Sequence, residues 1–241
     1  MQNPGYIALS RQVVLERQLA VVANNIANID TNGFKRQGLL FGEHLSELQD
    51  GSQASYVTDL GTVRDISHGK LNFTGRSLDL AIEGEGYFTI ETPGGDRYTR
   101  NGQFELNGEG DIVTRDGFAL LDGDGERINV PVNTTDIVID VNGKVTVDGQ
   151  ERGELVLLEF DNPQGLIHTA NGLYRSDVPG EESEEGVIRQ GAVETSNVNP
   201  VNELVYMLGV QRDYQASNRM VKGEHDRQTR AIREIGQVDQ A

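Results

Sequence analysis

The 241-residue sequence contains no cysteine and no tryptophan, and only six prolines and four histidines. Without cysteine there is no disulfide framework, no thiolate nucleophile and no Cys-ligated metal, and the redox compartment is left open. His44, His68, His168 and His225 are scattered, with none of the His-x-x-x-His or His-x-x-Glu spacing that places two ligands on one helix face, so no metal site is assigned. No apolar run approaches the roughly 18 residues that cross a bilayer, so no transmembrane segment is expected. The first residues lack a basic stretch followed by an apolar core and a small-residue cleavage site, so a cleaved secretory signal is not expected either. Basic charge is scarce: 21 Lys and Arg face 38 Asp and Glu, for a net charge of −17 and an isoelectric point near 4.6. Such a surface repels polyanions, which sets nucleic acid and anionic membranes aside as partners.

What is present is patterned. Hydrophobic residues make up 36% of the chain and its mean hydropathy is −0.46, which fits a soluble protein with one sizeable core or two small ones. Ala8, Gln12, Leu15, Leu19, Val22, Ile26 and Ile29 recur at alternating steps of four and three, the spacing of a coiled-coil-like seam. This predicts a helix from Pro4 to Ile29. Asp30-Thr31-Asn32-Gly33 then supplies a helix stop with positive φ at Gly33, and Phe34 an anchor just beyond it. Residues 37–71 break into glycine-spaced pieces, read as an extended connector with short strands. Between Leu78 and Val147 the period changes to two, as in Leu78-Asp79-Leu80-Ala81-Ile82 and Ile137-Val138-Ile139-Asp140-Val141. Gly94-Gly95, Asn101-Gly102, Asn107-Gly108, Asp116-Gly117, Asp122-Gly123, Asn142-Gly143 and Asp148-Gly149 punctuate these strands as positive-φ hairpin turns. Further strands are expected at 154–160 and 173–175, before the solvated acidic loop 181–185. Asn199-Pro200 with Glu203 opens a second helix, along which Met207, Val210, Tyr214, Ser217, Val221, Glu224, Gln228, Ala231 and Ile235 repeat the three-four alternation, with Leu204 and Leu208 widening the stripe. The expected fold class is α+β: an N-terminal helix in 1–35, an extended connector in 36–75, a central antiparallel β-rich domain in 76–190, and a C-terminal helix in 191–241.

The candidate chemistry resolves to turns. Asp122-Gly123-Asp124-Gly125-Glu126 opens like a calcium loop, but the sixth and twelfth places hold Arg127 and Asn133 instead of glycine and glutamate. Gly84-Glu85-Gly86 lies between two apolar strands instead of at a strand-to-helix turn, and its carboxylate would repel phosphate. No Gly-x-Ser-x-Gly elbow is present. No catalytic residue and no cofactor-binding residue is assigned, and the chain is not read as an enzyme.

Three blocks resemble a known family, the rod and hook axial proteins of the bacterial flagellum. The first is Ala23-Asn24-Asn25-Ile26-Ala27-Asn28 with Thr31, Gly33, Phe34 and Lys35. The second is Leu78 to Phe88, with Tyr98-Thr99-Arg100-Asn101-Gly102. The third is Glu194-Thr195-Ser196-Asn197-Val198-Asn199-Pro200-Val201, with Arg212-Asp213-Tyr214-Gln215-Ala216. Together they bracket nearly the whole chain, with Asn24, Asn25, Ala27, Asn28, Thr31, Gly33, Phe34, Ser196, Asn197, Val198 and Asn199 as its signature positions. The resemblance implies a structural rod subunit of the basal body, exported by the flagellar type III apparatus without a cleaved signal and assembled helically across the periplasm with copies of itself and other rod subunits. The short connector between Arg36 and Leu71 resembles the proximal-rod branch more than the distal. On this reading Leu15, Leu19, Val22, Ile26, Ile29, Leu204, Met207, Val210, Tyr214 and Val221 form the assembly interface that transmits torque. The alternative is a secreted β-rich adhesin or binding module, which would act as a monomer.

Overall fold

The computed structural model describes residues 4–47, 53–131, 134 and 136–238. The chain divides into two compact units: residues 1–27, 37–65 and 199–241 form unit 1, and residues 28–36 and 66–198 form unit 2.

Unit 1 joins α1 (Pro4–Ala27), β1 (Gln37–Glu47), β2 (Gln53–Arg64) and α2 (Pro200–Val238). Pro4 sits in the first turn of α1, where its missing N–H is not needed. Asn199 caps α2: its Oδ1 accepts the N–H groups of Val201 and Asn202 at 3.1 and 3.2 Å, and Pro200 follows at the first helical position. The two helices run antiparallel, since Gln12 Nε2 donates to the Tyr214 hydroxyl at 3.2 Å and Gln18 Nε2 to that of Tyr206. Leu15, Val22 and Val210 are buried, while Leu19, Ile26, Met207, Tyr214 and Val221 are half-buried along the same two stripes.

Two sequence readings are corrected here. The stretch read as an extended connector with short strands contains a long antiparallel ribbon, in which β1 and β2 pair from Gln37↔Arg64 to Glu47↔Gln53 with one bulge between Leu40 and Phe41. That bulge, together with Gly42 and Gly61, interrupts the period-two pattern that would have announced it. Ile29 lies two residues beyond α1, in a turn where the Thr31 N–H bonds the Asn28 carbonyl at 3.3 Å, so it does not continue the helical stripe.

Unit 2 is antiparallel throughout. Its strands are β3 (Leu71–Phe73), β4 (Leu80–Glu83), β5 (Phe88–Thr92), β6 (Gly95–Thr99), β7 (Phe104–Leu106), β8 (Ile112–Thr114), β9 (Ile137–Ile139), β10 (Lys144–Val147), β11 (Gln150–Glu154), β12 (Leu158–Glu159), β13 (Ile167–His168), β14 (Tyr174–Arg175), β15 (Glu181–Glu182), β16 (Val187–Gln190) and β17 (Ala192–Glu194). Local hairpins β5–β6, β7–β8 and β10–β11 account for part of the pairing, and the returning strands β16 and β17 pair with β4 and β3. Inward residues of these short strands, including Leu80, Ile82, Phe88, Ile90, Phe104, Ile112, Val145 and Ile188, form one continuous core with Leu120, which bridges Ile90. Phe88 and Phe104 meet edge to face with centroids 5.5 Å apart. At roughly 1.5–3 kcal/mol per fully buried aliphatic or aromatic side chain, this core is the main stabilising term of unit 2. Not every expected turn glycine has positive φ. Gly102 does not, and a side chain there would meet the Leu80 carbonyl oxygen at 1.6 Å, so that position requires glycine for close backbone approach. The acidic stretch 181–185 contains β15, which pairs with β12.

Candidate functional site

The three signature blocks converge in unit 2 on one buried carboxylate. Glu194, the last residue of β17, is 2% exposed, and its side chain accepts from Lys35 Nζ at 2.7 Å, the Gly69 N–H at 2.8 Å and Arg100 Nε at 3.1 Å. Its backbone carbonyl accepts the Gly33 N–H at 2.8 Å. Lys35 and Arg100 are themselves 4% and 5% exposed. Buried ions of this kind persist only with opposite charge and hydrogen bonds around them, and here both requirements are met.

Arg100 follows β6 and spends its planar fork on several acceptors at once. Nη1 donates to the Gly86 carbonyl at 3.1 Å, Nη2 to that of Gly84 at 2.9 Å, and the guanidinium lies 5.7 Å from the Tyr87 ring centroid. Gly84-Glu85-Gly86 is thus a carbonyl-presenting turn for a cation. Lys35 Nζ also donates to the Ser67 carbonyl at 2.9 Å. His68 stands at the edge of the cluster, half exposed, with Nδ1 3.3 Å from Arg100 Nη2 and 3.7 Å from Glu194 Oε1.

The neighbouring backbone completes the fastening. Gly33 has φ 70°, and a Cβ built on it would lie 2.5 Å from the Arg100 carbonyl carbon, so both conformation and space demand glycine. Phe34 is buried, as expected of an anchor. Asn197 accepts the Arg36 N–H at 2.7 Å, donates to the Ser67 carbonyl at 2.9 Å, and gives its own N–H to the Phe34 carbonyl at 3.3 Å. Thr31, Gly33, Phe34, Asn197 and Val198 therefore belong to one neighbourhood that includes residues on both sides of the β-unit, and the Ser196 hydroxyl accepts the Val198 N–H at 3.2 Å.

The electrostatics oppose one another in a definite order. Burial pushes the Glu194 carboxyl up, but the charges of Arg100 and Lys35, with hydrogen bonds from Lys35 and the Gly69 amide, outweigh it and hold the group below the ordinary glutamate value. His68 is held below the usual imidazole value by partial burial first, then by the Arg100 and Lys35 charges. Each charge of the trio is answered by another, so the arrangement serves as a tie between chain segments. Among the described residues no group of three or more His, Cys, Asp or Glu is placed to hold a metal ion. At the calcium-like stretch, Asp122 Oδ1 accepts the N–H groups of Asp124 and Glu126 at 3.0 and 2.8 Å, which closes a turn.

Asn25 makes a second tie, within unit 1. It is fully buried, its Oδ1 accepts the Gln37 N–H at 2.9 Å, and its Nδ2 donates to the Gln37 carbonyl at 2.8 Å and reaches Glu203 Oε2 at 3.4 Å. The amide thus imitates a β-partner at the start of β1. Asn24 and Ala27, on other faces of α1, are exposed, and Asn28 Oδ1 accepts the Thr31 hydroxyl at 3.1 Å. Glu194, Lys35, Arg100 and Glu203 were absent from the sequence-derived site. The available signal was that Lys35, Arg100 and Glu194 each fall inside one of the three signature blocks.

The expected interface residues do not share one fate. Leu15, Val22 and Val210 are already covered within the chain and have little area left for a neighbour, whereas Leu204 is exposed beside Val201, Val205 and Leu208. No described helix is long and apolar enough to cross a membrane.

Comparisons with known proteins agree in every block. Residues 6–35 match the flagella basal body rod protein family, residues 81–147 the D1 domain of the flagellar hook protein FlgE/F/G family, and residues 189–234 the C-terminal domain of the flagellar basal body rod FlgEFG proteins. The chain is 33% identical to the flagellar basal-body rod protein FlgF of Caulobacter vibrioides, over 99% of its own length and 100% of the relative's. It is 32% identical to FlgF of Mesorhizobium japonicum over 98% and 99%, and 36% identical to the rod protein FlgG of Buchnera aphidicola over 83% and 87%. With its ion tie assembled from residues of all three matched regions, the chain belongs to the flagellar basal-body rod protein family.

Proposed function

We propose that this chain is a structural subunit of the flagellar rod, self-assembling helically through unit 1 and carrying torque through apolar contacts between neighbouring helices. The observation that carries the reading is the outer stripe of α2. Val201, Leu204, Val205 and Leu208 stand at i, i+3, i+4 and i+7, all exposed, while Glu203, Val210 and Ser217 on the inner side are buried. Large aliphatic side chains so spaced form a contiguous apolar surface that water disfavours and a second helix covers. The inner stripe, with Leu15, Leu19, Val22, Ile26, Met207, Val210, Tyr214 and Val221, is the coiled-coil-like seam within each subunit, and the outer stripe is the seam between subunits.

The near-complete overlap with both FlgF relatives supports a place in the proximal rod. Export through the flagellar type III apparatus without a cleaved signal, and a final position in the periplasmic part of the basal body, complete the proposal. The test is Leu208→Asp, a charge placed on the exposed stripe where the isolated fold tolerates it. The variant is expected to keep the wild-type circular dichroism spectrum and to fail to restore motility in a strain lacking the wild-type protein. Wild-type motility would exclude the stripe as an interface. A wild-type protein that sediments as a monomer at every concentration, and is dispensable for the rod, would favour the secreted binding module.

A further inference from the structure

Unit 2 has a second polar cluster that the ion tie does not use. A cavity of about 340 Å³ is lined by Glu91, Pro93, Asn107, Asp111, Phe118 and Arg127, among others, a volume within the roughly 300–1,000 Å³ of small-molecule sites. Arg127 Nε is bonded to Glu91 Oε2 at 2.5 Å and its Nη1 lies 3.9 Å from Asp111 Oδ2, so one guanidinium spans two hairpins. Asp111 is almost fully buried, and its Oδ1 accepts from Asn129 Nδ2 at 2.6 Å. Asn107 is locked in place by the N–H groups of Glu109 and Asp111, at 2.9 and 2.8 Å on its Oδ1. The other wall is apolar: Val113, Ala119, Pro93 and the half-buried ring of Phe118.

The lining excludes several ligand classes. Anions are disfavoured, because two of the three charged groups are carboxylates and unit 2 as a whole carries 26 acidic against 12 basic residues. A metal ion would have to displace the Arg127 guanidinium from Glu91 and Asp111. A wholly apolar ligand would strip water from the Glu91 and Arg127 charges and return no hydrogen bond. A neutral molecule with donors and acceptors around its edge and an apolar face meets every requirement. A pyranose ring has that form: its hydroxyls exchange hydrogen bonds with carboxylate, amide and guanidinium, and its C–H face lies against an aromatic side chain. We propose that this cavity binds a neutral saccharide.

Titration of the full-length protein with chitotriose and, separately, cellotriose, followed by two-dimensional amide NMR, tests the assignment, with inorganic phosphate as the anionic comparison. Saturable shifts confined to residues 91–93, 107–119 and 127 are expected with at least one trisaccharide, and none with phosphate. Arg127→Ala, at a half-exposed position, is expected to keep the remaining spectrum and to weaken binding at least about tenfold, as loss of one charge-assisted hydrogen bond would. Should that variant disturb the fold, Glu91→Gln reads the same loss without changing side-chain size. The proposal is overturned if neither trisaccharide gives saturable shifts, if binding survives both substitutions unchanged, or if phosphate saturates the site and the saccharides do not.

Discussion

Arg100 Nε and Glu194 Oε2 lie 3.1 Å apart with both side chains almost wholly removed from water, and Lys35 closes on the other carboxylate oxygen at 2.7 Å. Removing the carboxylate takes away the hydrogen-bonded anion that two buried cations share. Glu194→Gln is therefore expected to cost roughly 3–5 kcal/mol, the usual penalty for breaking a buried ion pair from one side. Chemical denaturation at neutral pH followed by tyrosine fluorescence measures it. A loss below about 1 kcal/mol would show that the tie contributes little.

The same carboxylate fixes the direction of the pH response. The folded-state value of Glu194 is depressed, chiefly because the Arg100 and Lys35 charges and their hydrogen bonds outweigh burial, so its stabilisation is present above the ordinary glutamate value and is lost as pH falls through the lower folded value. His68 is also depressed, by burial and then by the two cations, so acidification below its ordinary value of 6.5 favours the unfolded chain as well. Both contributions destabilise in acid and neither does so in mild alkali. Melting temperature should fall from pH 7 to pH 3, a range that reaches well below the ordinary glutamate value of 4.5, and Glu194→Gln should show a shallower acid limb than wild type. Parallel limbs would remove Glu194 as a source of the acid response.

At Gly33, an alanine would have to hold φ near 70° and place its Cβ 2.5 Å from the Arg100 carbonyl carbon. The backbone term alone costs of order 1–3 kcal/mol, and the clash adds to it because the obstacle is main chain instead of a movable side chain. Gly33→Ala is expected to lower unit 2 stability by more than that backbone term, with a changed near-ultraviolet dichroism from the displaced Phe34 environment. An unchanged unfolding midpoint would refute the close approach.

Asn25 makes a different demand, since its amide answers both the N–H and the carbonyl of Gln37. Asn25→Ala strands those two groups beside the buried Glu203 and should cost about 1–3 kcal/mol. Amide exchange at Gln37, whose N–H is bonded to Asn25 in wild type, should accelerate while β5 and β10 keep their protection. Equal acceleration everywhere would mean that the residue supports the whole fold and not this junction.

The helices were the readable part of the chain. Leu15, Val22 and Val210 fall on stripes whose spacing depends only on local geometry, and Asn199-Pro200 announces a cap in two residues. Gly33 and Phe34 were likewise foreseen, because a positive-φ stop and an apolar anchor are local chemistry. The tie was not, because a buried glutamate looks like any other glutamate until the cations 94 and 159 residues away are placed beside it. The ribbon β1–β2 escaped for a related reason: its bulge and glycines break the alternation, so its pairing shows only in the register of two strands. What covers the widened stripe was also invisible, since Val210 and Leu208 are equally aliphatic and only the position of α1 leaves one buried and the other exposed.

The span between Lys35 and Glu194 also carries a temporal consequence. Closing a contact across 159 residues is slow and entropically costly compared with forming the hairpins, so the tie is expected among the last native contacts to appear. A chain cut anywhere between Arg100 and β17 would retain both cations and lack the carboxylate that answers them. The segment 31–36 is thus fastened only once the far end of the β-unit has emerged and paired with β3, and Glu194 works as a completion check on the polypeptide.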